Sequence, residues 1–293
     1  MTILVTGGSG QLASALAELG GARVHRVGRP DFDFDRPETI AASFRAADPA
    51  LVVNAAAYTA VDAAETDVEA AFRANRDGPA RLARLCAEAG VPLVHVSTDY
   101  VFDGLKGAPY VETDPVSPQG VYGASKLAGE RAVLGSGARA LILRTSWVYA
   151  PVGKNFVRTM LAAGRNTDRL RVVADQKGCP TAAADLAAAI LEVARAIERG
   201  WSDDFGGVFH AAGAGWTTWH GLATAVFAEA ARFGERQPEV AAIATSDWPT
   251  PARRPPDSRL DCTRLAAVFG VRLPPWQEGL ARMIAAAFRD GAV

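Results

Sequence analysis

The chain is poor in several residue types, and each scarcity closes off a class of protein. Its 293 residues hold three cysteines, four histidines, four lysines and five tyrosines. Cys86, Cys179 and Cys262 are odd in number, far apart, and without metal-site spacing to one another or to the histidines, which excludes a disulfide framework and a zinc site as organising features. They read as reduced, structural thiols. No apolar run reaches transmembrane length without a glycine or a charge, and the first residues form a core strand instead of a basic leader. The expectation is a cytoplasmic protein with no membrane partner. Net charge is −1, so no basic excess points to nucleic acid as a partner. No internal repeat or low-complexity linker is found. What is there, 49% hydrophobic and 22% charged residues, fits an α/β enzyme with a full core.

Against that scarcity of tyrosine and lysine, Tyr122 and Lys126 stand four residues apart in Val121-Tyr122-Gly123-Ala124-Ser125-Lys126. On a helix they share a face. A free phenol has a pKa of about 10, and a cation held beside it favours the phenolate and brings the phenol into catalytic range. The pair is a proton-transfer device.

Its counterpart opens the chain. Thr2-Ile3-Leu4-Val5-Thr6 has the β-branched character of a buried strand, and Gly7-Gly8-Ser9-Gly10-Gln11-Leu12-Ala13 follows at once into a helical pattern. A turn without β-carbons between strand and helix lets the backbone approach a pyrophosphate, whose charge sits on the helix N-terminus. Ala13 stands at the third glycine position of the dinucleotide fingerprint and is small enough to keep the packing close. Further strand patterns at Arg23 to Val27, Leu51 to Asn54, Leu93 to Ser97 and Ala140 to Thr145 alternate with helical ones at Pro37 to Ala47, Val68 to Ala89 and Tyr122 to Leu134. That alternation predicts an α/β fold, a Rossmann-type doubly wound parallel sheet. After about Tyr149 the pattern loosens: helical runs at Asn155 to Ala163 and Ala182 to Arg199, strand-like runs at Arg171 to Val173 and Val208 to Ala211, proline-rich loops from Trp248 to Pro256, and helices near Thr263 to Phe269 and Trp276 to Phe288. Residues 1–149 are expected to form the nucleotide-binding domain. Residues 150–293 form a smaller α/β substrate-binding region at the C-terminal side, its elements interleaved with the first.

Open α/β sheets bind ligands at the carboxyl ends of their strands. There the sequence delivers Asn54-Ala55-Ala56-Ala57, Ser97-Thr98-Asp99 and Arg144-Thr145-Ser146-Trp147. Thr98 beside Tyr122 could polarise a carbonyl while the phenol delivers a proton; by itself Thr98 also reads as a turn cap, and Trp147 as core packing. The second strand exits through Gly28-Arg29 with no acid before Asp31, which places Arg29 to meet a 2′-phosphate and favours NADPH over NADH. A solvated loop arginine is the alternative.

These segments resemble the extended short-chain dehydrogenase/reductase superfamily and, within it, the dTDP-4-dehydrorhamnose reductases. The likeness runs through Thr6 to Ala13, Ser97 to Phe102, Lys126 to Glu130, Arg144 to Tyr149, Asn155-Phe156, Asp175-Gln176, Pro180-Thr181, Thr217 to His220 and Pro249 to Pro255. It implies reduction of the C4 ketone of dTDP-4-dehydro-L-rhamnose by NADPH or NADH, with a small nucleotide-sugar substrate as partner. Tyr122 is then the general acid, Lys126 its pKa-lowering partner and a ribose ligand, and Thr98 the hydrogen-bond donor to the carbonyl. The resemblance puts Gly7, Gly10, Gln11 and Leu12 along the pyrophosphate, Asp33 and Phe34 on the adenine side, and Ala56, Ala57 and Thr59 in the middle of the cofactor. Thr98, Asp99, Tyr122 and Trp147 meet the sugar nucleotide. Asn155, Arg253 and Arg254 are assigned to its diphosphate or thymidine, with loop packing and a solvated charge pair as the alternative.

The chain departs from family patterns twice. Some members dimerise through magnesium-bridged glutamates on the first and last helices, where this sequence has Ala13-Ser14-Ala15 and Ala285-Ala286-Ala287. No structural metal is expected, and the chain is a monomer or a homodimer. Related dehydratases follow the threonine with Asp-Glu; here Asp99-Tyr100 lacks the glutamate acid. Two other functions share the pattern: a reductase or epimerase of another nucleotide sugar, and a non-catalytic NADP-binding subunit resembling the regulatory subunit of methionine adenosyltransferase.

Overall fold

The apolar runs assemble into one parallel sheet in the computed structural model, which describes residues 1–289. The first half runs β1 (Ile3–Thr6), α1 (Gln11–Gly20), β2 (Val24–Val27), α2 (Pro37–Ala47), β3 (Leu51–Asn54), α3 (Val61–Ala64), α4 (Val68–Phe72), a π-helical turn (Arg73–Asp77), α5 (Gly78–Ala89), β4 (Leu93–Thr98), α6 (Val121–Leu134) and β5 (Ala140–Thr145). The second runs β6 (Val148–Tyr149), α7 (Phe156–Gly164), β7 (Arg169–Val173), β8 (Lys177–Gly178), β9 (Thr181–Ala182), α8 (Ala183–Glu198) and β10 (Gly207–His210). It ends with β11 (Thr217–Thr218), α9 (Trp219–Ala231), β12 (Glu239–Ile243), α10 (Thr263–Phe269) and α11 (Trp276–Arg289). No helix among the described residues is long and apolar enough to cross a membrane.

The sheet order is β10-β5-β4-β3-β1-β2 with every pair parallel. Alternate residues of each central strand face opposite layers, as the period of two requires. Ile3, Val5, Leu51, Val53, Leu141 and Leu143 pack with Leu16 of α1 and Ile190 and Val193 of α8, while Leu4, Val52, Leu93 and Ile142 pack with Phe44 of α2 and Leu82 of α5. Helices therefore cover both faces, and the order reverses between β1 and β3. The crevice of such a sheet opens at that reversal, where Thr6 and Asn54 lie side by side. A separate core joins α7, β7, α9 and α11 through Val157, Leu161, Val172, Phe227 and Ile284.

Two features differ from expectation. The helical run from Val68 to Ala89 is broken by the π-helical turn. Pro79 has no N–H to give to the Asn75 carbonyl, which instead faces α6, where a β-carbon on Gly129 would lie 1.9 Å from it. Second, α9 and β12 had no sequence expectation; β12 pairs in parallel with β7, and α9 is apolar on too many sides to show a stripe. β10, a strand after residue 149, pairs with β5 as the edge of the main sheet, and α8 covers α1, in the manner of the interleaving expected of residues 150–293. All three cysteines are free thiols, with Cys86 and Cys179 buried.

Candidate active site

The loop from β1 to α1 is built for close backbone approach. Gly7 has φ +114° and Gly8 φ +54°, a region side chains rarely tolerate, and a β-carbon on Gly28 would fall 2.4 Å from the Gly8 backbone. Bare backbone thus surrounds the start of α1, and beside it lies a cavity of about 470 Å³ lined by Gly8, Ser9, Arg26, Gly28, Arg29 and Ser43. These residues fit a dinucleotide: glycine turn, open helix N-terminus, and two guanidinium groups on the cavity wall. Ala56 and Ala57, half-buried, and Thr59, exposed, follow β3 on the same edge. Their backbone is fixed from beneath. The Ala56 N–H donates to Thr6 Oγ1 (3.2 Å) and Asn54 Oδ1 (3.3 Å), and Asn75 holds both polar atoms of the Tyr58 backbone.

Several expected cofactor residues contribute differently. Leu12 and Phe34 bury their side chains in the two sheet-face cores, Phe34 edge-on to Phe32 at 5.3 Å, so neither ring nor isobutyl group faces a ligand. The Phe34 ring is thus part of the core beside the Arg29–Asp33 loop. Arg29 is not a free cation: it donates from Nε to Asp33 (3.0 Å) and from Nη2 to Asp35 (2.8 Å). Burial works to raise the Asp33 pKa, but the Asp35 N–H and the Arg29 guanidinium outweigh it and hold the carboxyl below its usual range. Arg26, which sequence reasoning passed over, lines the same cavity and donates to Ser14 Oγ at 3.0 Å.

The proton-transfer group lies across the crevice. α6 carries Tyr122 and Lys126 on one face, and Tyr122 meets Tyr100 edge-on at 5.7 Å. Burial pushes the Tyr122 phenol up to about 12; a hydrogen bond with Thr98 pulls against it and the Asp99 charge adds to it. Lys126 is 2% exposed and donates from Nζ to the Val96 carbonyl at 2.7 Å. Burial brings its pKa down to about 8, with Glu130 opposing. Thr98 ends β4 and caps the turn after it, accepting from the Tyr100 N–H at 3.2 Å. The turn-cap reading of Thr98 is what the backbone shows.

Asp99, expected on the substrate, is 2% exposed and spends its oxygens on protein hydroxyls: Thr98 at 3.1 Å, Ser146 at 3.0 Å and Ser258 at 2.5 Å. Burial raises its carboxyl to about 6 despite those three donors. In this structure it takes the one hydroxyl hydrogen that Thr98 has to give. Ser258 comes from the far end of the chain, and nothing in its sequence neighbourhood marks it.

On the other side, Trp147 takes a left-handed φ of +48° and stacks on Trp219 with centroids 3.5 Å apart and planes at 7°. Trp219 is pinned by a hydrogen bond to Gln176 (3.1 Å), which donates to Thr245 (3.0 Å). Asn155 caps α7 by accepting from the Arg158 N–H, and its amide donates to Gln11 of the glycine loop at 2.9 Å. It reaches the cofactor loop, which moves it from the diphosphate of the substrate to the seam between the two halves. Arg254 pairs with Asp62 at 2.8 Å, and that hydrogen bond lowers the Asp62 pKa. Arg253 is exposed and lines a second cavity, about 450 Å³, with Asp175, Trp248 and Thr250. Among the described residues no three His, Cys, Asp or Glu side chains gather to hold a metal ion.

Residues 1–288 match the family described as RmlD substrate binding domain. The dTDP-4-dehydrorhamnose reductase of Sinorhizobium fredii is 46% identical over 293 residues, 99% of each chain. The chain belongs to the dTDP-4-dehydrorhamnose reductase family. Solved structures of that family share its architecture. The Clostridium acetobutylicum member superposes with a TM-score of 0.90 at 35% identity, covering 98% of this chain and 99% of its own. The Bacillus anthracis member, in complex with NADP, gives 0.89 at 30% identity over 98% and 100%.

Proposed function

We propose that the chain reduces the C4 ketone of dTDP-4-dehydro-L-rhamnose to the alcohol of dTDP-L-rhamnose, using NADPH in preference to NADH. Residues 1–149 hold the cofactor and residues 150–293 the sugar nucleotide. The observation that carries the reading is the placement of three groups at the carboxyl edge of the sheet: Thr98 ending β4, the Tyr122 phenol on which it acts, and the buried Lys126 ammonium one helical turn on from Tyr122, held on the Val96 carbonyl of the same strand. Family membership supports the substrate, and the NADP complex of the Bacillus anthracis relative supports the cofactor.

A dinucleotide whose pyrophosphate sits on the glycine loop would supply, from its reduced nicotinamide, the hydride that C4 takes. The one Thr98 hydroxyl hydrogen, which Asp99 accepts in this structure, turns to the C4 oxygen and stabilises the charge that grows there. Tyr122, held protonated at neutral pH, passes its proton to that oxygen, and Lys126 stabilises the phenolate left behind. Trp147, backed by Trp219, is an apolar wall suited to a deoxysugar.

Following NADPH absorbance with the purified protein and a set of nucleotide 4-ketosugars tests the reading. Turnover is expected with dTDP-4-dehydro-L-rhamnose, whereas a faster rate with another base or sugar would reassign the substrate. Binding of NADPH without any turnover would favour the regulatory subunit.

A further inference from the structure

Tyr122, Lys126 and Glu130 recur every four residues and share one face of α6. Proton transfer uses the first two. Glu130 is 2% exposed and accepts three hydrogen bonds, from Ser97 Oγ at 2.5 Å and from Arg144 Nε and Nη2 at 2.9 and 2.7 Å. The Arg144 guanidinium lies 5.1 Å over the Phe102 ring, and its Nη1 is buried without a partner. A buried ion pair adds little stability, because desolvation of both charges offsets their attraction, and an orphaned N–H worsens that balance. Placement is what the cluster does achieve. Ser97 belongs to β4 and Arg144 to β5, so Glu130 ties the catalytic helix to two strands at once and leaves a negative charge one helical turn from Lys126.

We propose that Glu130 is a positioning residue for proton transfer: clamped by Arg144 and Ser97, it sets α6 against the sheet and supplies the counter-charge that keeps the Lys126 ammonium protonated behind the phenol. What the pair accomplishes rests on the reductase reading; how Lys126 is held does not.

The other groups facing Lys126 are accounted for. β4 brings His95, kept neutral by burial and by Lys126 itself; the following turn brings Asp99 and Tyr100, and β5 brings Arg144. On α3, Asp62 pairs with Arg254, and Glu65 beyond its end accepts from the Val121 N–H. Arg73 pairs with Asp35 and Glu69, and Arg76 with Asp77, while Arg81, Arg84 and Glu88 of α5 are exposed. Glu130 is thus the anion nearest along the helix.

The scarcity of lysine makes the test direct. With ε-13C-lysine labelling, the cofactor-free protein shows four lysine signals, and Lys126→Met assigns one. That signal should titrate near pH 8 in the wild type. In Glu130→Gln it should titrate about one pH unit lower, as expected for loss of a charge a few ångströms away, with the other three signals unmoved. The alkaline limb of kcat should move down with it. Glu130→Gln/Arg144→Met keeps the test sharp if the single variant unfolds, because no buried charge is then left unpaired; the Lys126 signal should still move down, though by less, since loss of the Arg144 cation works against loss of the Glu130 charge that acts on Lys126. An unchanged Lys126 midpoint in either folded variant overturns the proposal. A wild type that reduces no nucleotide ketosugar overturns only the functional reading, since the titration needs neither substrate nor cofactor.

Discussion

At the residue scale, a phenol near 12 and an ammonium near 8 are both protonated at neutral pH, the order that donation to a developing alkoxide requires. Tyr122→Phe keeps the ring and removes the proton, so kcat should fall roughly 10²- to 10⁴-fold with cofactor affinity nearly constant. Near wild-type turnover in that variant would end the assignment. Charge on Lys126 is lost as pH rises through about 8, so activity should decline there. In Lys126→Met that ionisation is gone. Its residual activity should be low and its alkaline limb should sit higher, towards the phenol, as a pH series of kcat would show. Cofactor choice is also decided by single side chains. Arg29 already answers to two carboxylates, so a 2′-phosphate must compete for it, whereas Arg26 gives a hydrogen bond only to a hydroxyl. A charged hydrogen bond is worth about 1.5 to 3 kcal/mol; Arg26→Ala should raise KM for NADPH roughly tenfold, and Arg26→Ala/Arg29→Ala roughly a hundredfold. KM for NADH should stay within about twofold, and equal loss for both cofactors would count against a phosphate site.

At the element scale, the site depends on how closely α6 lies on its neighbours. A β-carbon on Gly129 would meet the Asn75 carbonyl at 1.9 Å and one on Gly123 the Tyr100 carbonyl at 2.2 Å, so the helix is seated on two glycines. Gly129→Ala should push it outward, costing about 1 to 3 kcal/mol of stability by overpacking and lowering kcat as Tyr122 leaves Thr98. Denaturant titration and kinetics on the same preparation would check both, and an unshifted unfolding midpoint would show that the helix can yield there. β3, α2, β5 and α10 match the runs read from the sequence because their patterns are strictly buried or strictly amphipathic. α9 has no such pattern, and the π-helical turn depends on where the Asn75 carbonyl points, which local sequence does not specify.

At the scale of the whole molecule, hydrogen bonds join the two halves of the site, and one of them, Asn155, capping α7, to Gln11, opening α1, reaches the glycine loop. Asn155→Ala should cost about 1 kcal/mol as a lost cap. It should also loosen the glycine loop and the 150–155 segment together, raising Kd for NADPH and for dTDP by roughly similar, several-fold factors in calorimetric titrations. A change confined to dTDP would return Asn155 to a direct substrate contact.

The alternating strands and helices, the glycine turn and the shared helix face of Tyr122 and Lys126 were legible in the chain because each rests on near neighbours: a period of two or 3.6, a bare turn, a four-residue spacing. What joins distant positions was not. That Asp99 spends its oxygens on protein hydroxyls follows from Ser146 and Ser258 reaching it, 47 and 159 residues along the chain. Trp147 gains its backing from Trp219, and Arg29 loses its freedom to two carboxylates in the loop beyond it. Local pattern determines which backbone each segment adopts, since that is settled by sterics and by the burial of one face. Which polar side chains stay available for chemistry is decided by long-range packing, because a buried hydroxyl or carboxylate must find its partner wherever the fold brings one.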